Sequence, residues 1–398
     1  SSVKRFLGIW AFLRFQIHAR KIAIGPDQFS GSGPIEIGDV VTFLDRADGA
    51  RYRVDALEDD STRKATLSRI ADFSPAPRRR DIPVALIERP FPALPIEGVF
   101  LDLPLVGDDS VSPVIAAYSH PWTGSAAAYA SNGDDEYRLE TVISRPSIVG
   151  VLFEDLPSSR PHIWSRGSGA VVRLYGGSLS SRSVAAVLNG ANRAAVRSPS
   201  GEWEVLQFVG AELTGPDLWR LTGLLRGQAG TEPFIGDPTP AGATFVLLDG
   251  NQAELSAPSA LRNSPRMLRL GPARRPYGHE SYSTMEIFDR GARLRPYAPA
   301  HLRVVREIGT GDLKVSWIRR SRIGGDNWTD VEPPLGEARE AYRIRIGSFV
   351  DVETVAPRHV WPSASQAAAG AIGPVEISVT QLSDQFGEGP AAKVIYHV

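Results

Sequence analysis

Apolar and polar residues alternate along most of this chain in short runs, each closed by a turn rich in Gly, Pro, Asn or Asp. That period of two predicts β-strands with one buried face. In the first eighty residues the alternation falls at Phe15, Ile17, Ile22 and Ile24, then over 35–44, 51–57 and 65–70, with Asp48-Gly49 as a hairpin signal. Residues 2–13 depart from it: Phe6, Trp10 and Leu13 recur at helical spacing and predict a turn or two of helix. Further strands are expected over 99–105, 114–119, 126–130, 137–142, 171–175, 185–189, 202–208 and 244–249. The stretch from Asp217 to Thr231, D-L-W-R-L-T-G-L-L-R-G-Q-A-G-T, reads as an amphipathic strand running into a rigid β-corner at Gly227 and Gly230.

The pattern predicts a mainly β chain of several antiparallel barrel or sandwich domains. Residues 1–80 form a small unit, incomplete at its N-terminus, and Pro75, Pro77 and Arg78 to Arg80 make a stiff basic linker after it. A β-rich domain follows over 81–275, then a linker over 276–296, then a sandwich over 297–398. In that last segment the order P-x-x-L-x-V, L-x-V-S-W, Y-x-I-R-I and V-x-Q-L resembles a fibronectin type III domain. The resemblance implies that Trp317 lies between the sheets. The strand near Val375 has no Tyr, so the usual tyrosine corner is missing.

Composition narrows the function classes. The 398 residues carry Gly 38 and Pro 31, which favours many short strands. With Cys 0, disulfides, zinc-thiolate sites and iron–sulfur clusters are excluded. Lys+Arg 44 against Asp+Glu 45 gives no general attraction to nucleic acid or anionic membranes. No apolar run reaches the ~20 residues of a membrane span. The apolar start is broken by Arg14 and lacks a small-residue cleavage site, so it does not read as a signal peptide. The abrupt start suggests a piece of a longer chain.

The residues point to no catalytic centre. The seven histidines are isolated, so neither metal site nor cofactor is expected. Gly31-Ser-Gly33 lacks the third glycine of a dinucleotide loop, and Gly167-Ser168-Gly169 lacks the spacing of a nucleophile elbow. The acidic clusters at Glu58-Asp59-Asp60 and Asp134-Asp135-Glu136 suit solvated turns. Glu154 and Asp155 follow an apolar run, but adjacent carboxylates on one strand face opposite ways and do not make a glycosidase pair. Asp249, Asn251 and Glu254 fit a turn better than a calcium loop. Arg319, Arg320 and Arg322 suit either a solvated strand edge or a protein interface. Trp122, Trp164, Trp203 and Trp328 suit a core or an interface anchor, or a platform for sugars. Trp219 belongs to the corner strand.

Two long blocks carry a more specific likeness. One is G-E-W-E-V-L-Q-F (201–208) followed by L-W-R-L-T-G-L-L-R-G-Q-A-G-T-E (218–232). The other joins L-R-P-Y-A-P-A-H-L (294–302), V-S-W-I-R-R-S-R-I-G-G-D-N-W (315–328) and P-L-G-E-A-R-E-A-Y (334–342). Together they resemble the large tail-tip baseplate proteins of siphophages and gene transfer agents, whose full forms carry an upstream glycoside-hydrolase-like barrel. The resemblance implies a non-enzymatic structural component of the tail tip in a virion or extracellular particle, assembled in the bacterial cytoplasm. Its implied partners are the tail hub and other tail-tip proteins, in a homotrimer, with host envelope glycans or a receptor as the contact. It also makes Arg226 a tie between domains or subunits. The alternative is a carbohydrate-binding adhesin that uses Trp122 or Trp328.

Overall fold

The computed structural model describes residues 3–6, 20–24, 35–43, 50–59, 63–70, 95–104, 112–122, 124–132, 136–167, 169–325 and 332–398. The structure is nearly all β and divides into two compact units, Ser1–Pro90 and Phe91–Val398. Trp328, Asp48-Gly49, Gly31-Ser-Gly33 and the 75–80 linker lie outside the described residues.

The first unit is a five-stranded sheet in the order Val3–Phe6, Val40–Phe43, Arg51–Asp59, Arg63–Ile70 and Arg20–Ile24. Its core gathers Ile35, Val41, Tyr52, Val54, Ala65 and Leu67. Within the segment expected to be helical, Val3–Phe6 is instead a strand, paired in parallel with Val40–Phe43. Pairing on one side lets so short a piece satisfy part of its backbone, whereas a helix of that length leaves nearly all of its groups open.

The second unit has three parts. Strands Glu97–Leu101, Val114–Tyr118 and Ala253–Glu254 form one sheet, and Ala126–Ser131, Arg138–Ile143, Pro265–Pro272 and Ser283–Phe288 form another. Ile96, Ile115, Ala117 and Leu255 from the first pack against Ala128, Leu268, Leu270 and Ile287 from the second. This sandwich is assembled from two separate stretches of chain. The stretch between them, Val149 to Leu247, is inserted as a barrel.

The barrel is closed. Going round it, Leu218–Gln228 pairs with Ala170–Leu174, which pairs with Val149–Leu152, then Thr244–Leu247, Arg193–Arg197 and Trp203–Gly215. Trp203–Gly215 then pairs with Leu218–Gln228 and completes the ring. All six pairings are antiparallel, so these six strands leave no open sheet edge. Leu152, Val172, Leu206, Phe208, Leu221, Leu224 and Phe245 fill the interior. Val149, Ala195, Trp203 and Val246 face outward onto Leu101 and Ala116 of the three-stranded sheet. That sheet therefore buries both faces: Ile115 and Ala117 turn toward the sandwich core, and Ala116 turns toward the barrel.

One expected strand is a helix. Val184–Leu188 is α-helical, capped by the Ser183 hydroxyl, which accepts from the Ala186 N–H at 3.2 Å, and closed by Asn189 and Gly190. Its four Ala and Val residues hid a helix with a Ser N-cap and an Asn-Gly end. Residues 276–296, expected as a linker, carry the strand Ser283–Phe288 and the 3₁₀ turn Ala292–Leu294.

The third part is a sandwich of three strands on four. Ala300–Arg306, Leu313–Ile318 and Arg358–Trp361 form one sheet. Val350–Thr354, Tyr342–Ile346, Pro374–Ser383 and Gly387–His397 form the other, in that order. The split and connectivity are those expected of a fibronectin type III-like domain. Trp317 is 4% exposed between the sheets, edge-on to Tyr342 with ring centroids 5.2 Å apart. Among the described residues no helix is long and apolar enough to cross a membrane.

Candidate functional site

The corner predicted at Gly227–Thr231 is where the barrel meets the terminal sandwich. It forms at the barrel seam, where a register shift between Val205 and Gln207 bends the Trp203–Gly215 strand. Thr231, fully buried, accepts the Val205 N–H at 2.9 Å and donates to the Gln228 carbonyl at 2.6 Å. Gly227, Ala229 and Gly230 all take positive φ. A Cβ on Gly230 would meet the Tyr297 ring at 2.2 Å, so only glycine lets that ring lie on the turn.

Arg226 lies inside this seam, 1% exposed. It forms a bidentate pair with the equally buried Glu204: Nη2 donates to Oε2 at 2.6 Å and Nε donates to Oε1. Nη1 donates to the Pro157 carbonyl at 3.0 Å, and Glu204 also accepts the Gly227 N–H at 3.2 Å. Every partner belongs to the second unit's barrel segment. A guanidinium sealed in this way cannot reach a neighbouring subunit, so the tie expected of Arg226 is internal to the barrel.

The contacts between domains fall to other arginines. Arg320 donates to Glu232, just past the corner, and lies over the Tyr297 ring at 5.0 Å. Arg295 lies 4.5 Å from the Phe234 ring on the barrel side and 5.8 Å from the Phe386 ring on the sandwich side, and pairs with Glu202 at 3.4 Å. Arg262 donates to the Gln385 carbonyl at 2.9 Å. Arg319 braces the sandwich's own loop through the Pro333 and Pro334 carbonyls, and Arg322 pairs with Glu337 at 2.8 Å. The arginine run is thus partly buried joint rather than solvated strand edge.

Titratable groups gather at the joint. His162 Nε2 stands 3.8 Å from Glu232, and burial pushes its pKa down, with Glu232 opposing and Arg320 adding to the fall. Asp102 accepts the N–H groups of Arg290 and Ala292, fixing the turn that leads into the sandwich. Burial, with the Asp289 charge beside it, pushes the Asp102 pKa up to about 6.

The remaining candidates are spread out. Trp203 is buried on the barrel's outer face and Trp219 packs against the barrel core. Trp122 is half-buried against the sandwich core, with its Nε1 buried. Glu154 and Asp155 are exposed, and Asp155 accepts the Ala241 N–H at 2.8 Å. Among the described residues no three His, Asp or Glu cluster as metal ligands would. Sequence reasoning missed Glu204, Glu232, Arg295 and Tyr297. The signal for Glu204 was a charged residue on the apolar side of a strand, at W-E-V-L.

The fold and joint define a class: a rigid β-scaffold in which a closed barrel, inserted in a sandwich, carries a second sandwich at its corner. A family model described as "Rcc01698-like, C-terminal" matches residues 147–246, which is the barrel from its first strand to within its last. No curated protein matches the chain. Among solved structures, the chicken CNTN1 FN1-FN3 domains are similar at 10% identity, covering 77% of this chain and 100% of that one. The TM-score is 0.17, and the two do not superpose as wholes.

Proposed function

We propose that this chain is a structural component of the tail-tip baseplate of a phage tail or gene transfer agent particle, where it contributes to host-cell contact during DNA delivery. One observation carries the reading. The family match covers the inserted barrel, the first resembling block falls on that barrel, and the described residues of the second run from the joint into the terminal sandwich. The match is compatible with a structural protein of gene transfer agents or phages. The geometry suits a mechanical role: part-buried arginine pairs and ring contacts hold the barrel against the sandwich, leaving loops to meet neighbours. The tail hub and further copies of the chain, as a homotrimer, are the partners we assign. Each interface should bury more than ~2,000 Å². The role requires no catalysis and no cofactor. Antibody against the terminal sandwich should label purified particles at the tail tip. Label elsewhere, or none on particles that contain the chain, contradicts the proposal.

A further inference from the structure

Between the three-stranded sheet, the outer wall of the barrel and the Ser283–Phe288 strand lies a cleft of about 350 Å³. Its volume is in the range of small-ligand sites, which span ~300–1,000 Å³, and is too large for a bare inorganic anion. The charges around it are unevenly satisfied. Glu202 is shared by two arginines, with Arg290 at 2.9 Å and Arg295 at 3.4 Å. Arg197 also lines the cleft, its guanidinium 4.9 Å above the Trp203 ring, yet its side chain makes no hydrogen bond or ion pair among the described residues. Glu286 lines the cleft from the Ser283–Phe288 strand and is likewise exposed and without a side-chain partner among the described residues. No ion pair joins Arg197 to Glu286.

Burial lowers the pKa of Arg197 from its ordinary value; Glu202 opposes that fall and the charge of Arg290 adds to it. Arg197 and Arg290 thus crowd one side of the cleft, beside the Glu202 and Asp102 carboxylates, which are already engaged by Arg290 and Arg295 and by the Arg290 and Ala292 N–H groups. Arg290 also lies 5.5 Å over Phe288, which gives that rim an apolar floor. A guanidinium fork suits a carboxylate or phosphate through paired N–H bonds. The exposed Glu286 carboxylate lining the same cleft suits an ammonium group.

We infer that this cleft binds a small zwitterionic ligand, with its carboxylate or phosphate on Arg197 and its ammonium on Glu286. The site is independent of the tail-tip reading: a chain that binds such a ligand but is absent from particles would defeat only that reading. Two probes carry the chemistry from different sources, glucosamine 6-phosphate and the dipeptide alanyl-alanine. Calorimetry on the full chain should detect at least one at millimolar affinity or better, corresponding to about −4 kcal/mol. Trp203 emission should shift on binding, because Arg197 lies on its ring.

For the glucosamine 6-phosphate arm, glucose 6-phosphate, glucosamine and glucose remove the ammonium, the phosphate or both. Each of these should bind more than tenfold more weakly. Arg197→Gln and Glu286→Gln should each weaken binding at least tenfold, with thermal midpoints close to that of the parent chain. Glu286→Gln should also erase the preference for glucosamine 6-phosphate over glucose 6-phosphate. The proposal is overturned if neither probe binds, if glucose binds as well as glucosamine 6-phosphate, or if both folded variants keep full affinity.

Discussion

The barrel seam and the outer face of the terminal sandwich both pair arginine with carboxylate, in opposite surroundings. At the seam Arg226 and Glu204 are each 1% exposed and hold one another bidentately. On the sandwich face, Arg343 and Arg345 share Asp351 and Glu388 across neighbouring strands, each side chain 35–48% exposed. Water has already compensated the exposed charges, so each pair there adds little. At the seam the cost of leaving water has been met in full, and removing one partner strands the other. The same side-chain chemistry is therefore structural in one place and nearly neutral in the other. What separates them is burial and the third partners, Pro157 and the Gly227 N–H, that satisfy the rest of the seam pair.

Several substitutions would break or sharpen that contrast. Arg226→Ala should lose ~3–5 kcal/mol in a denaturant melt, because it leaves the Glu204 charge buried. The double change Glu204→Leu with Arg226→Met should recover most of that loss. If the double variant is as unstable as the single one, the ion pair itself sets the seam. Trp317→Ala is expected to cost ~3–5 kcal/mol in the terminal sandwich, by cavity formation without any charge; a near-neutral result would remove Trp317 from the core.

Gly230→Ala should cost about 1–3 kcal/mol, from positive φ and from the displaced Tyr297 ring. Its clearest sign should be faster proteolysis between the barrel and the sandwich. Asp102 adds a pH test. Its folded pKa of about 6 lies above the ordinary 3.8, so ionisation destabilises the fold above that range, and the penalty lifts as pH falls from about 6 toward 4. Relative to Asp102→Asn, the parent chain should gain about 1 kcal/mol between roughly pH 7 and pH 5. A flat difference would mean that the Arg290 and Ala292 N–H groups fully compensate the carboxylate. Arg345→Ala should have the smallest effect, a barely moved midpoint that loses its salt dependence.

The chain shows its strands more readily than its closures. Alternation revealed Leu313–Ile318 and Tyr342–Ile346, whose faces differ in burial. Val149–Leu152 and Arg193–Arg197 escaped it, because barrel strands covered on both sides read as brief apolar runs. Glycines at Gly227 and Gly230 marked the corner, since positive φ leaves a local signature. The joint built on that corner did not show: Arg320 meets Glu232 across 88 residues, a pairing that no local pattern encodes. Insertion of the barrel between two halves of a sandwich was hidden for the same reason. So was the true partner of Arg226, 22 residues away on the adjoining strand.

Where the chain sits in the particle decides its role. A density map of the intact particle should show the closed barrel and the three-on-four sandwich at the tail tip, in contact with hub protein and repeated around the tail axis. Their relative angle should match the Arg320–Glu232 joint. A map in which the tip is fully accounted for by other chains would contradict the assignment.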